Sequence, residues 1–392
     1  MISSRNTGDS GKYSTSFRAA RAGEKLLLCV SAAAFLVVSV GRAAWALPIL
    51  PLQVSTNPGN GDQNPYGLLY VPPGFPDSTI QPGNILVSNF NDKANNQGQG
   101  TTITVIHQDR TKALFAKVPT PGLTAAMGIL RAGFVLIGSI TVPIPSNFPG
   151  AVGGPIRVLD SNGKLVTTIT STLFLNGPWE MAVDDDITSA KVWVSNVLAG
   201  TVIRINLSLT PTFHVDSITK VAVGYGHINT NMNPLVGPSG LAYSEQRHTL
   251  YVTDALKSRV YAVANADTIT TPVILGTPVY SDPIHLHGPL GLALAPNGDL
   301  ISAQADNFNV NPALPSEIVE FTPNAATTPA GQFVAQYSID SMNGGAFNIA
   351  LNQSADPFVP LGFAYVDDNE GTVVQLFLPT FQFGFGNVVV KH

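Results

Sequence analysis

Three histidines and one acid–amide pair are the side chains in this sequence best placed to do chemistry. His285 and His287 stand two apart just before an apolar run, and an extended chain would aim both rings to one side. His227 lies in a Gly-Tyr-Gly-His-Ile-Asn segment ahead of another such run. Imidazoles there would serve as general acid–base groups (His287 and His227 foremost) or metal ligands, or would simply bond backbone as loop histidines. Glu180 and Asn348 occupy positions that carry glycine or alanine elsewhere in a repeated pattern. They would act on something in a shared site, or merely bond channel water and strand ends. No phosphate loop, Gly-x-Ser-x-Gly elbow or His-Glu-x-x-His motif occurs, which weakens nucleotide and common hydrolase readings.

The pattern that positions these residues is an internal repeat. Pro65-Tyr66-Gly67-Leu68, Pro178-Trp179-Glu180-Met181, Pro238-Ser239-Gly240-Leu241, Pro289-Leu290-Gly291-Leu292 and Ala346-Phe347-Asn348-Ile349 open five units, and Ala125-Ala126-Met127 a weaker sixth. Each opening is followed by an apolar run ending in a small polar residue, such as Ile85 to Asn89, Val192 to Asn196, Leu250 to Asp254 and Phe363 to Asp367. A third run comes next, and a fourth is visible in some units, as in Lys164 to Thr170. Val, Ile, Phe, Tyr and Thr dominate these runs, as suits a pleated, half-buried surface. Six four-stranded units predict an all-β fold, a six-bladed β-propeller of four-stranded blades, filling residues 47–392 as one domain. Either Ile49 to Ser55 or Asn387 to Lys391 would complete the last blade. The first strand of each unit should line the central channel, with small residues where the strands converge near the axis and large ones where blade packs on blade. Units three and six face each other in a six-fold ring, so Glu180 and Asn348 would meet at the channel mouth. Asn89, Asn196, Asp254 and Asp367 read as turn caps, and Asn95 to Gly100 and Asn307 to Pro315 as long loops within blades.

Composition agrees. Glycine (36) and proline (30) interrupt the chain throughout, and only 11% of residues are charged against 44% hydrophobic, which excludes a disordered chain and a long helical bundle. A net charge of -5 offers no field for nucleic acid. Residues 1–46 read as a cleaved secretory signal. Arg5, Lys12, Arg18, Arg21 and Lys25 precede the apolar run Leu26 to Val40, and Ala44-Trp45-Ala46 forms the cleavage site. Fifteen residues make only about 22 Å of helix, short of a bilayer core of roughly 30 Å. The mature protein would then be secreted or periplasmic with no membrane span. It would also lack cysteine, because Cys29 lies in the signal.

Pro-x-Gly-Leu-Ala in the fourth and fifth units, Asn297-Gly298-Asp299-Leu300, and Tyr251-Val252-Thr253-Asp254 followed by Arg259-Val260 resemble the NHL repeat. More broadly the chain resembles the six-bladed superfamily of NHL, SMP-30/gluconolactonase and strictosidine-synthase-like propellers. That superfamily holds lactonases, lyases and binding modules. The resemblance implies a small molecule or protein bound at the channel face without turnover, or a divalent-metal-dependent hydrolase or lyase at the channel mouth. In the second case it implies Glu180 and Asn348 as analogues of the lactonase metal ligands, whose oxygens would suit calcium or magnesium.

Overall fold

The computed structural model describes residues 52–143, 148–229, 235–304, 316–342, 344–352 and 362–377. The expected signal segment 1–46, the stretch 307–315 and the closing candidate 387–391 lie outside them. Apart from two single 3-10 turns, the regular structure of the described residues is all strand. No described helix is long and apolar enough to cross a membrane.

The strands form six antiparallel sheets arranged as a six-bladed β-propeller. Their inner strands are Gln63–Tyr70, Leu123–Leu130, Pro178–Asp185, Pro238–Ser244, Pro289–Leu294 and Ala346–Asn352. Each inner strand lies beside that of the next blade, and blade six returns to blade one. The second strands are the most deeply buried because both their faces meet protein. Ile85–Asn91 is buried along its whole length, as is Leu300–Gln304. Five apolar clusters each fill the gap between consecutive blades, for example Leu136, Met181 and Val192 between blades two and three. No sheet covers its own two faces, so the blades stabilise one another around the ring.

The ring closes through the amino-terminal side. Leu52–Ser55 pairs antiparallel with Thr372–Phe377, from Leu52 opposite Gln375 to Ser55 opposite Thr372, and becomes the outer strand of blade six. Blade three gains a fifth strand, Val273–Ile274, which leaves blade four to pair in parallel with His214–Val223. The expected loop at Asn95 to Gly100 is corrected. Its Gln97–Gly100 part belongs to the strand Gln97–Ile106, which continues pairing past a bulge as far as Gln97 opposite Asn91.

One irregularity recurs in all six blades. The inner strand slips register between Pro65 and Leu68, Thr124 and Met127, Pro178 and Met181, Pro238 and Leu241, Pro289 and Leu292, and Ala346 and Ile349. These bulges re-aim the residues inside them, and Glu180 and Asn348 are two of those residues. A hydroxyl on the second strand accepts from a bulge N–H in three blades, and in blade five Ser302 Oγ donates to Gly291 O (3.0 Å). Gly67 N–H donates to Ser88 Oγ (2.9 Å), Glu180 N–H to Ser195 Oγ (3.1 Å) and Gly240 N–H to Thr253 Oγ1 (2.7 Å). Ser88 Oγ then donates to Thr124 O of the next blade (2.6 Å), and Ser195 Oγ to Ser239 O (2.8 Å). One hydroxyl therefore ties a bulge to the neighbouring blade.

The polar residues that follow do two jobs. Asp254 and Asp367 cap their own turns, accepting from the N–H groups of Lys257 and Glu370. Asn196 instead holds the incoming linker, through Asn176 N–H and Phe174 O, and Asn89 reaches Thr56 O. Replacing Ser195 by Ala leaves Glu180 N–H and Ser239 O buried without a partner. We expect a loss of about 1–3 kcal/mol in urea unfolding; an unchanged midpoint would show that the hydroxyl bridges nothing that matters.

Candidate functional site

The hub is built in layers set by the bulges. At the start of the inner strands Tyr66, Trp179 and Phe347 meet across the axis, with Phe90 behind them. Ring centroids lie 5.0 Å apart for Tyr66 and Trp179 and 5.4 Å for Tyr66 and Phe347, and the indole N–H of Trp179 donates to the Tyr66 hydroxyl. This aromatic layer fills the channel at that level.

One residue further on, the bulges place Gly67, Ala126, Glu180, Gly240, Gly291 and Asn348. Adjacent inner strands come closest here. A Cβ on Gly240 would lie 2.4 Å from Leu290 O, and one on Gly291 would lie 2.5 Å from Asn348 Oδ1. The small residues thus serve blade-to-blade contact, whereas Leu68, Met127, Met181, Leu241, Leu292 and Ile349, one residue on, line the central cavity. Small residues therefore stand where the strands converge, as expected, and the large ones also fill the gaps between blades, as Met127, Met181, Leu241, Leu292 and Ile349 do. The cavity holds about 200 Å³ and continues past Gly128, Ile129 and Val183.

Glu180 and Asn348 do come together, from opposite blades, in this cavity's wall. Asn348 Nδ2 donates to Glu180 Oε2 at 2.8 Å. Glu180 Oε1 accepts from Met181 N–H (3.2 Å) and Asn348 Oδ1 from Ile349 N–H (2.7 Å). Turning the Asn348 amide over would set its NH2 group against Ile349 N–H, so its orientation is fixed. Both side chains are buried. Burial pushes the Glu180 carboxyl up to about 8, against the smaller lowering by Met181 N–H and Asn348. Burial and the nearby Glu180 together raise the Tyr66 hydroxyl well above its usual range. At neutral pH Glu180 is therefore mostly the uncharged acid.

The histidines lie elsewhere. Residues 283–285 form a turn, so His285 and His287 do not share a side. His285 Nδ1 is 2.7 Å from Asp282 Oδ2 and its ring stacks on Phe333 at 3.8 Å. His287 is buried, with Nε2 3.0 Å from Pro283 O and its N–H donated to Gln304. His227 Nδ1 is 3.3 Å from Tyr225 O. None of the three lines the cavity.

The donor set does not fit calcium or magnesium. Such ions need about six oxygens, whereas Glu180 has both of its oxygens bonded to N–H groups and Asn348 turns its amide hydrogens, not its oxygen, toward the acid. Among the described residues no cluster of three or more His, Cys, Asp or Glu side chains could hold a metal.

Among solved structures the chain is similar to a luciferin-regenerating enzyme, at 12% identity over 84% of this chain and 96% of that one, with a TM-score of 0.50. It is also similar to a gluconolactonase from Xanthomonas campestris (12%, 87% and 99%, TM-score 0.49). A third is regucalcin, a calcium-binding protein from Agrobacterium tumefaciens (12%, 86% and 98%, TM-score 0.48). What the chain shares with them is the fold. No protein-family model and no curated protein matches it.

The raised Glu180 carboxyl has a thermodynamic sign. The folded state keeps a proton that the unfolded chain releases near pH 4.5, so this group's contribution to stability falls as pH rises toward 8, approaching about 1.4 kcal/mol per pH unit. Glu317 and Glu320, each pushed up to about 7 by burial, add to the same trend. The variant Glu180→Gln should show a shallower loss between pH 5 and 8 than the wild type in chemical unfolding. Identical slopes would mean that Glu180 is ionised throughout.

Proposed function

We propose that this protein is an exported propeller that binds a small, largely apolar molecule in its hub cavity without a metal ion. The observation that carries this reading is the Glu180–Asn348 pair, bonded to itself and to two backbone N–H groups in a wall otherwise made of Leu, Met, Ile, Val and Gly. Concave apolar surface with a few placed polar groups is the usual form of a small-molecule site. Export rests on the basic, apolar and Ala-x-Ala pattern of residues 1–46. A metal-dependent hydrolase or lyase at the channel mouth finds no ligand set among the described residues. Turnover with Glu180 as general acid is favoured by its retained proton, but the cavity lining supplies no partner base.

Thermal unfolding with neutral apolar compounds tests the reading. A ligand at a hundred times its Kd should add about 2.7 kcal/mol. Gly128→Leu, where added atoms would meet Met181 and Val183 in the cavity wall, should abolish the shift while leaving the unliganded protein folded. A calcium-dependent rise in Tm that disappears in Glu180→Ala would overturn it in favour of the metal enzyme. Expression of the full chain should yield an exported form beginning at Leu47, checked by intact mass; retention of residues 1–46 would contradict the export step.

A further inference from the structure

Which ligand the cavity takes follows from counting donors and acceptors. Each oxygen of Glu180 already accepts one hydrogen, from Met181 N–H or from Asn348 Nδ2, and the Asn348 oxygen accepts from Ile349 N–H. Beside the second lone pairs of the carbonyl oxygens, two hydrogens remain: the proton of the Glu180 acid and the second hydrogen of the Asn348 amide. Both are donors. A carboxylate would instead leave lone pairs and call for a cationic ligand, so the protonation state decides the class.

The surroundings favour the acid. Around Glu180 the neighbouring inner strands present Tyr66, Met127, Gly240, Leu241, Leu292 and Asn348, none of them a cation, and Ser195 on its own second strand is neutral. Tyr66 is the titratable group near it, and its hydroxyl already accepts from Trp179. An isolated carboxylate in such a wall would be strongly penalised, and a neutral acid is not.

Resting on the reading of the hub as a small-molecule site, we infer that its ligand is an uncharged apolar molecule carrying one hydrogen-bond acceptor, a carbonyl or ether oxygen. That oxygen is held by Glu180 and Asn348. The ligand enters oxygen first from the end of the hub lined by Ile129 and Val183, because the Tyr66–Trp179–Phe347 layer fills the other end. An engineered apolar cavity of about 150 Å³ accepts benzene. A space of about 200 Å³ therefore suits a compact body of about ten carbons.

Four cage compounds of one shape separate the possibilities: 2-adamantanone, adamantane, 1-adamantanamine and 1-adamantanecarboxylate, titrated at pH 7 into the wild-type protein by calorimetry or competition. The ketone should bind at least tenfold more tightly than the hydrocarbon, and the two ions more weakly than either. In Glu180→Leu the ketone should fall to the level of adamantane while adamantane itself still binds, which also shows that the variant folds. Preference for the amine would mean that Glu180 is ionised, and equal binding of ketone and hydrocarbon would mean that the pair anchors nothing. Either result overturns the inference and leaves a ligand-binding hub standing. Failure of all four to bind would remove the small-molecule reading itself.

Discussion

A second-strand hydroxyl that grips an inner-strand bulge and the next blade together is the interaction on which the hub depends. Ser88 and Ser195 each accept from a bulge N–H of their own blade and donate to a carbonyl of the neighbour. Beyond the aromatic layer at one end of the hub, the spacing of the blades is set by contacts at the inner strands. Glycine at Gly240 and Gly291 lets the strands approach until an added Cβ would collide with the next blade. Where Glu180 and Asn348 replace glycine, the same bulge turns a polar side chain toward its counterpart across the ring.

The pair then inherits its chemistry from its position. With an aromatic layer on one side and apolar side chains on the other, the acid meets no cation that would favour its charge. Two N–H donors reach it and lower its affinity for a proton, but burial outweighs them. A carboxyl that keeps its proton at neutral pH is a hydrogen-bond donor, a different tool from the oxygen ligand that the same residue would be in a wetter, more acidic setting. The fold shared with propellers from other organisms therefore leaves the chemistry of this hub to its own residues.

Much of the architecture was legible because the repeat writes itself in residues that cannot be elsewhere. The Pro-x-Gly-Leu openings and the Val- and Ile-rich second runs mark six inner strands and their partners, and the spacing of Glu180 from Asn348 placed them on opposing blades. That the large side chains line the cavity as well as filling the gaps between blades was not legible, since a bulge leaves no mark beyond a glycine that also suits close packing. Leu241 and Leu292 line the cavity while Gly240 and Gly291 meet the next blade. The hydroxyl bridges had a faint signal, the Ser-Asn, Ser-Asn and Thr-Asp pairs at 88–89, 195–196 and 253–254, overshadowed by the turn-forming residue that follows. His285 and His287 misled because alternation was assumed across a turn anchored by Asp282. The Glu180 amide partners were invisible without the bulge, and with them the reason a metal does not fit.

The ligand class inferred for the hub requires Glu180 to be an uncharged acid in the folded protein, and infrared difference spectroscopy reads that state directly. Subtracting the spectrum of Glu180→Gln from that of the wild type at pH 7 should leave a protonated carboxyl C=O band, which should vanish as pH is raised past the value of about 8 expected for Glu180. A difference spectrum holding only carboxylate bands at pH 7 would contradict the account.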